Sequence, residues 1–193
     1  MVADPRIGVL ALQGDFAEHL AVLESCGYRH FTVRSCMDLE QADALIIPGG
    51  ESTTMLKLVD RYELRDAMVK RVESGMPVFG TCAGAIVLAD RVSDGERTLG
   101  VWDMHVERNA YGRQAESFEA DIEVSGLDEP VRGIFIRAPI ITGAVGTTVM
   151  ATHRDQPVLV RKDNLLAATF HPELAGETRI HRWFVENLCA GKE

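Results

Sequence analysis

The sequence predicts an α/β protein built on a mostly parallel sheet with helices on both faces. Three observations carry that prediction. Short apolar runs alternate with amphipathic segments through the first half of the chain. The runs lack polar alternation, as strands buried on both faces require. They close on turns rich in glycine, and a helical pattern follows, which is the grammar of βαβ units.

In chain order, the apolar run Ile7-Gly8-Val9-Leu10-Ala11-Leu12 is the first strand and ends at Gln13-Gly14. Asp15 can cap the next helix, whose apolar stripe is Phe16, Leu20 and Leu23, with Gly27 as its stop. Phe31-Thr32-Val33 is a second strand. Ala44-Leu45-Ile46-Ile47 is a third, closed by Pro48-Gly49-Gly50. A helix from about Thr53 to Ser74 ends at Gly75. Pro77-Val78-Phe79-Gly80 is the next strand, with a helix from Ala83 to Asp90 directly behind it. The second half holds more strands: Leu99–Val106, Phe118–Val124, Gly133–Arg137, Thr148–Thr152, Val158–Arg161 and Leu166–Phe170. Arg154-Asp155-Gln156-Pro157 and Lys162-Asp163-Asn164 have the composition of hairpin turns. A last helix, from about Glu177 to Leu188, turns Ile180, Trp183, Phe184 and Leu188 to one side. No repeat or long linker interrupts the pattern, so a single domain is expected over residues 1–193.

A net charge of −9 disfavours nucleic acid and anionic membrane surfaces, which need a basic patch. No apolar run approaches the roughly 18–20 residues that cross a bilayer. Met1 to Arg6 precedes no apolar signal segment, and the expected location is the cytoplasm. The four cysteines, Cys26, Cys36, Cys82 and Cys189, show no C-x-x-C spacing, and free thiols are expected. No metal cluster and no cofactor are indicated.

Chemistry concentrates at Gly80-Thr81-Cys82-Ala83-Gly84, between a predicted strand and a predicted helix. This is the G-x-S-x-G nucleophile elbow with sulfur in place of oxygen. It would lift Cys82 above the carboxyl edge of the sheet, where ligands of open α/β sheets bind. The N–H of Ala83 would point to a developing oxyanion. The ordinary alternative is a buried cysteine in a tight turn, the packing role expected of Cys26, Cys36 and Cys189. A thiol nucleophile needs a base and something to orient it. Of the six histidines, His19, His30, His105, His153 and His181 are expected to pack or face solvent. His171 follows the last predicted strand, in Phe170-His171-Pro172-Glu173. If that strand runs parallel to the one before Cys82, then Cys82, His171 and Glu173 meet at one sheet edge as nucleophile, base and acid.

The elbow with a late His-Pro-Glu resembles the class I, triad glutamine amidotransferases. Further segments narrow the resemblance. They are Gly8–Gly14, Pro48-Gly49-Gly50-Glu51-Ser52-Thr53-Thr54, Glu107-Arg108-Asn109-Ala110-Tyr111-Gly112-Arg113-Gln114, Phe135-Ile136-Arg137-Ala138-Pro139 and Phe170-His171-Pro172-Glu173-Leu174. In this order they look like the glutaminase subunits of pyridoxal 5′-phosphate synthase, from about Ile7 to Leu188. The resemblance implies a three-layer α/β/α, flavodoxin-like fold and attack of Cys82 on the side-chain amide of L-glutamine. It implies that Gly50, Glu51, Ser52, Arg108, Ile136 and Arg137 hold the substrate. It also implies a partner, a (β/α)8-barrel synthase subunit in a multi-subunit complex that receives the ammonia. The chemistry of glutamine agrees: Arg108 or Arg137 could pair with its α-carboxylate and Glu51 could face its α-ammonium. A backbone N–H of the Gly49-Gly50 turn is the natural second oxyanion donor beside Ala83. Gln13 is a candidate for coupling partner docking to the oxyanion hole, or else a plain turn residue. Three rival readings stand beside this one: a peptidase-like or chaperone-like cysteine-elbow protein, the glutaminase of another biosynthetic amidotransferase, and a binding subunit without catalysis.

Overall fold

The carboxyl edge of a seven-stranded sheet is where the predicted residues converge, and the strand order explains how. The computed structural model describes residues 4–108 and 117–189. The first strands are β1 (Ile7–Leu10), β2 (His30–Val33), β3 (Ala44–Ile47) and β4 (Val78–Thr81). Three later ones, β10 (Thr148–His153), β11 (Gln156–Lys162) and β12 (Leu165–Ala168), complete the sheet in the order β10-β11-β12-β4-β3-β1-β2. From β12 to β2 every pairing is parallel, while β10 and β11 pair antiparallel. β12 lies beside β4 with Ala168 opposite Thr81, so the chain leaves both strands at the same edge. That is the condition on which Cys82 and His171 could meet.

Alternation along the central strands divides the core into two layers. Ile7, Val9, Ile46 and Phe79 pack with Leu23 of α1 (Phe16–Ser25) and with Ile180 and Phe184 of the last helix. Leu10, Leu45, Ile47 and Val78 pack on the other face against Met55, Met68 and Ile86. These come from α3 (Ser52–Arg61), α4 (Arg65–Glu73) and α5 (Ala83–Leu88), whereas α2 (Cys36–Glu40) is a short connector. Smaller sheets flank this body. β5 (Ala89–Val92), β6 (Trp102–Glu107) and β9 (Ile140–Ala144) form one, and β7 (Ser117–Ile122) and β8 (Val131–Ile136) form the other. The last helix, α6 (Arg179–Phe184), widens into a π-turn over Val185–Cys189.

Several elements differ from their sequence expectation. The helix expected over Thr53–Ser74 is two helices, because Glu63 takes a left-handed φ of 58° and buried Leu64 starts α4. The helix behind the elbow stops at Leu88, and Ala89 turns extended to begin β5 rather than continuing to Asp90. Leu99 donates its N–H to Val87 in a loop, so β6 begins only at Trp102. α2 and β9 had no counterpart in the sequence pattern. The two expected hairpin turns join β10 to β11 and β11 to β12, with Arg154, Asp155 and Asp163 in left-handed conformations.

Candidate active site

The elbow is as tight as its composition demands. Cys82 has φ 48° and ψ −101°, a strained conformation for a residue with a side chain. A Cβ added to Gly80 would come within 2.6 Å of the Gly84 carbonyl carbon, and one added to Gly84 would strike the Ile47 carbonyl. Only bare backbone lets α5 descend this close to β3 and β4. The thiol donates toward the Ile136 carbonyl at 3.9 Å, and the Cys82 N–H donates to Ala168 across β12. The Ala83 N–H begins α5, where no intrahelical acceptor is available to it.

His171 is fixed from several sides. Its backbone N–H donates to Ile134 of β8 at 2.8 Å. Its Nδ1 lies 2.8 Å from Glu173 Oε1, on a 3-10 turn over Glu173–Ala175. Nδ1 also lies 3.3 Å from Asp15 Oδ2. With Nδ1 held by Glu173, Nε2 is the nitrogen left for Cys82. Burial opposes a charge on His171, but hydrogen bonding to Cys82 and Glu173 and their negative charges outweigh it and raise the pKa from 6.5 to about 10. Burial pushes the Glu173 carboxyl up, and its bond to His171 pulls the other way without cancelling the rise.

Cys82, His171, Glu51, Ser52, Arg108, Ile136 and Arg137 line one cleft of about 370 Å³, together with Gln13, Gly50 and Ala83. That volume suits a small ligand. Glu51 does not reach freely into it: its carboxylate caps α3 by accepting the N–H groups of Thr53 and Thr54 at 3.1 and 2.7 Å. The hydroxyl bond from Thr54 is the largest influence on it, and together with these caps it lowers the pKa to about 2 against the cost of burial. Arg108 pairs with Glu96 at 2.7 Å, Asp94 at 3.0 Å and Glu51 at 3.6 Å. Ser52 is buried with its hydroxyl 3.5 Å from Glu96. Arg137 has a left-handed φ of 42° and no ion pair among the described residues, leaving its charge available to the cleft. Gln13 Oε1 accepts the N–H of Glu51 at 2.9 Å. Gly50, at φ 144°, leaves no room for a Cβ between Gln13 and Gly14. Gly49 lies against the His171 ring. The segment from Asn109 to Gln114, which helped to define the resemblance, lies outside the described residues.

A cysteine on a strained elbow, a buried histidine beside it and a carboxylate behind the histidine can open an amide by nucleophilic attack. The family model for the SNO glutamine amidotransferase family matches residues 9–190. The chain belongs to this family. It is 48% identical to the "Pyridoxal 5'-phosphate synthase subunit PdxT" of Kosmotoga olearia, over 97% of this chain and 100% of that protein. It is 51% identical to the protein of the same name from Pelotomaculum thermopropionicum, over 94% of each. A solved structure described as a glutamine amidotransferase matches with a TM-score of 0.91 at 50% identity, covering 96% of this chain and 99% of that one. The structure of PurLQS from Thermotoga maritima, at 18% identity and a TM-score of 0.70, shares the fold alone. The fold is thus the three-layer class I amidotransferase fold.

Three residues beside Cys82, His171 and Glu173 were expected from the sequence only to cap a helix, pack or face solvent. Asp15 does not cap α1 with its side chain; it turns to His171 instead. His19 and His181 are both fully buried and joined at 2.8 Å, and His19 Nε2 lies 3.1 Å from Thr81 Oγ1. One signal was available: His19 shares a helical face with Phe16, Leu20 and Leu23, and His181 sits beside Ile180. A polar ring on an apolar stripe must find a partner inside. Asp15, His171 and Glu173 also place their donor atoms within 4.8 Å of one another, a grouping of metal-ligand type that the sequence did not suggest. Its nitrogen is already engaged by Glu173 at 2.8 Å.

Proposed function

We propose that this protein hydrolyses L-glutamine to L-glutamate and ammonia. The ammonia passes to a (β/α)8-barrel synthase subunit that makes pyridoxal 5′-phosphate from ribose 5-phosphate and glyceraldehyde 3-phosphate. The observation that carries the chemistry is Cys82 at a strained elbow beside His171, with Nδ1 of His171 held 2.8 Å from buried Glu173. The names of the relatives support the pathway. The thiolate attacks the side-chain amide carbon, and the oxyanion takes hydrogen bonds from the Ala83 N–H and a backbone N–H of the Gly49-Gly50 turn. His171 gives its proton to the departing nitrogen, ammonia leaves, and a thioester remains. Water, deprotonated by His171, attacks the thioester, and glutamate departs as Cys82 is restored.

Arg137 receives the α-carboxylate. Arg108 with Glu51, Asp94 and Glu96 sums to two negative charges, which suits the α-ammonium. Gly50, Ser52 and Ile136 complete the walls. Ammonia freed into neutral water is protonated and lost as a nucleophile, so the reaction is useful only in a multi-subunit complex with the synthase. Gln13, bonded to the Glu51 N–H, couples docking to the oxyanion turn. One glutaminase domain over residues 1–193 suffices, and it works in the cytoplasm; among the described residues no helix is long and apolar enough to cross a membrane. The test is glutamate production from glutamine, with and without the synthase subunit, for wild type and Cys82→Ala. Stimulated activity that vanishes in Cys82→Ala is expected. Activity indifferent to the synthase would overturn the pathway, and activity that survives in Cys82→Ala would overturn the mechanism.

A further inference from the structure

Behind the triad lies a polar layer that the hydrolysis as described does not use. His19 on α1, His181 on α6 and Thr81 on β4 are all fully buried. His19 Nδ1 is 2.8 Å from His181 Nε2. His19 Nε2 is 3.1 Å from Thr81 Oγ1 and 3.5 Å from Glu173 Oε1, and Thr81 Oγ1 is also 3.5 Å from that oxygen. The other oxygen, Glu173 Oε2, is buried with no hydrogen-bond partner among the described residues. The side-chain donors of His171, Thr81 and His19 therefore all gather on Oε1.

The carboxylate sets the direction of the chain of hydrogen bonds. If Thr81 donated to His19, a bare nitrogen lone pair would face Glu173 Oε1 across 3.5 Å, and the carboxylate would lose the hydroxyl proton. In the opposite direction, His181 Nε2–H donates to His19 Nδ1, His19 Nε2–H donates toward Thr81 and Glu173, and the Thr81 hydroxyl donates to Glu173. His19 and Thr81 then each accept and donate once, and each bond strengthens the next, while His181 Nδ1 is left buried with no partner among the described residues. Both imidazoles must be neutral for this, and burial depresses their pKa values, His19 well below 6.5 and His181 to about 4.

We propose that His19 is a positioning residue for the triad: through Nε2 and Thr81 it holds the Glu173 carboxylate toward His171, while His181 fixes the His19 tautomer. The proposal rests on the triad reading given above. The competing role for His19 is purely architectural, a bond through Nδ1 that ties α1 to α6.

The two nitrogens allow the roles to be separated. His19→Gln places an amide nitrogen near Nε2, and His19→Asn places its amide near Nδ1. The readouts are kcat and KM for glutamine, the pH dependence of Cys82 alkylation by iodoacetamide, and Tm, all on the full chain. The charged and titratable groups in play are known. His171 is faced by Cys82, Glu173, Asp15 and His19, and His19 by His181, Glu173 and His171, with Glu177 beside His181. His19→Gln is expected to keep kcat within about 3-fold of wild type. His19→Asn is expected to lose roughly 10- to 100-fold in kcat at unchanged KM, the cost of a misplaced catalytic group. Its alkaline limb of alkylation should also move to lower pH. Thr81→Val, which removes the intervening hydroxyl, should lose kcat in the same way and serves if a His19 variant folds poorly. Loss of Tm with kcat and the pH limb intact, or the opposite ranking of Gln and Asn, would overturn the proposal. Alkylation needs no glutamine, so a shifted limb supports the positioning role even if the substrate reading fails.

Discussion

Gly84→Ala is the sharpest perturbation of the elbow that leaves its chemistry untouched. The added Cβ would collide with the carbonyl oxygen of Ile47, and would stand 2.9 Å from the carbonyl carbon and 3.2 Å from the Ile47 Cβ. The obstacle is backbone at the carboxyl end of β3, paired with β4, so no side chain can rotate away. α5 must lift by several tenths of an ångström or more. Overpacking of this kind costs about 1–3 kcal/mol, and the better helix propensity of alanine returns up to about 1 kcal/mol. The net expectation is about 1–2 kcal/mol of lost stability. Because α5 begins at Ala83, the lift also moves the thiol and the oxyanion donor relative to His171. A misplacement approaching 1 Å can cost on the order of 10²-fold in rate. Urea unfolding followed by circular dichroism reads the first quantity, and kcat for glutamine reads the second. Gly143→Ala is the control, because its methyl would meet only His105 Cβ at 3.8 Å. Wild-type stability and a kcat within about 2-fold for Gly84→Ala would refute the close-packing argument.

Two further outcomes follow from the site. His171 is raised from 6.5 to about 10, so its ion pairing contributes fully to stability below pH 6.5 and is lost as the pH climbs through about 10. The pH profile of kcat/KM should accordingly hold through neutrality and fall only on a limb at about 10, whereas a limb at the ordinary histidine value near 6.5 would sink this assignment. Gln13→Ala frees the Glu51 N–H from its acceptor, and stimulation of glutaminase activity by the synthase subunit should drop; stimulation equal to wild type would remove Gln13 from the coupling.

What the sequence made legible was chemistry confined to neighbouring residues. Gly80 to Gly84 announce an elbow because each small residue answers a local steric demand, and His171 with Glu173 lie two positions apart. Their meeting with Cys82 needed only one long-range fact, that β12 runs parallel beside β4. The failures share the opposite character. Glu63 breaks a helix with no glycine or proline to mark it, because burial of Leu64 overrides the local preference. Asp15 had the position of a cap but found a histidine from the far end of the chain. Arg108 and Glu51 carry the expected charges, yet each is already engaged, by other carboxylates and by a helix N-terminus respectively. The partner of a charged group depends on three-dimensional neighbours that no spacing rule encodes.

The crowding of carboxylates at His171 gives the buried histidine layer its physical reason. Glu173 and Asp15 converge on the same Nδ1, at 2.8 and 3.3 Å. Asp15 is one-third exposed, so water screens it, while the Glu173 side chain is wholly enclosed and closer, which favours Glu173 over Asp15 for the orienting role proposed above. The same enclosure drives Glu173 toward protonation, and the charge of Asp15 pushes it the same way. A protonated Glu173 would no longer hold the imidazolium by charge. The bond from His171 and the backbone N–H of Glu173 oppose this, and so do further hydrogen-bond donors on Oε1. In the proposed mechanism His171 gives up its proton, so its support is withdrawn at the moment the base must return. Donors that keep their protons throughout are needed, and the neutral chain from His181 through His19 and Thr81 supplies them.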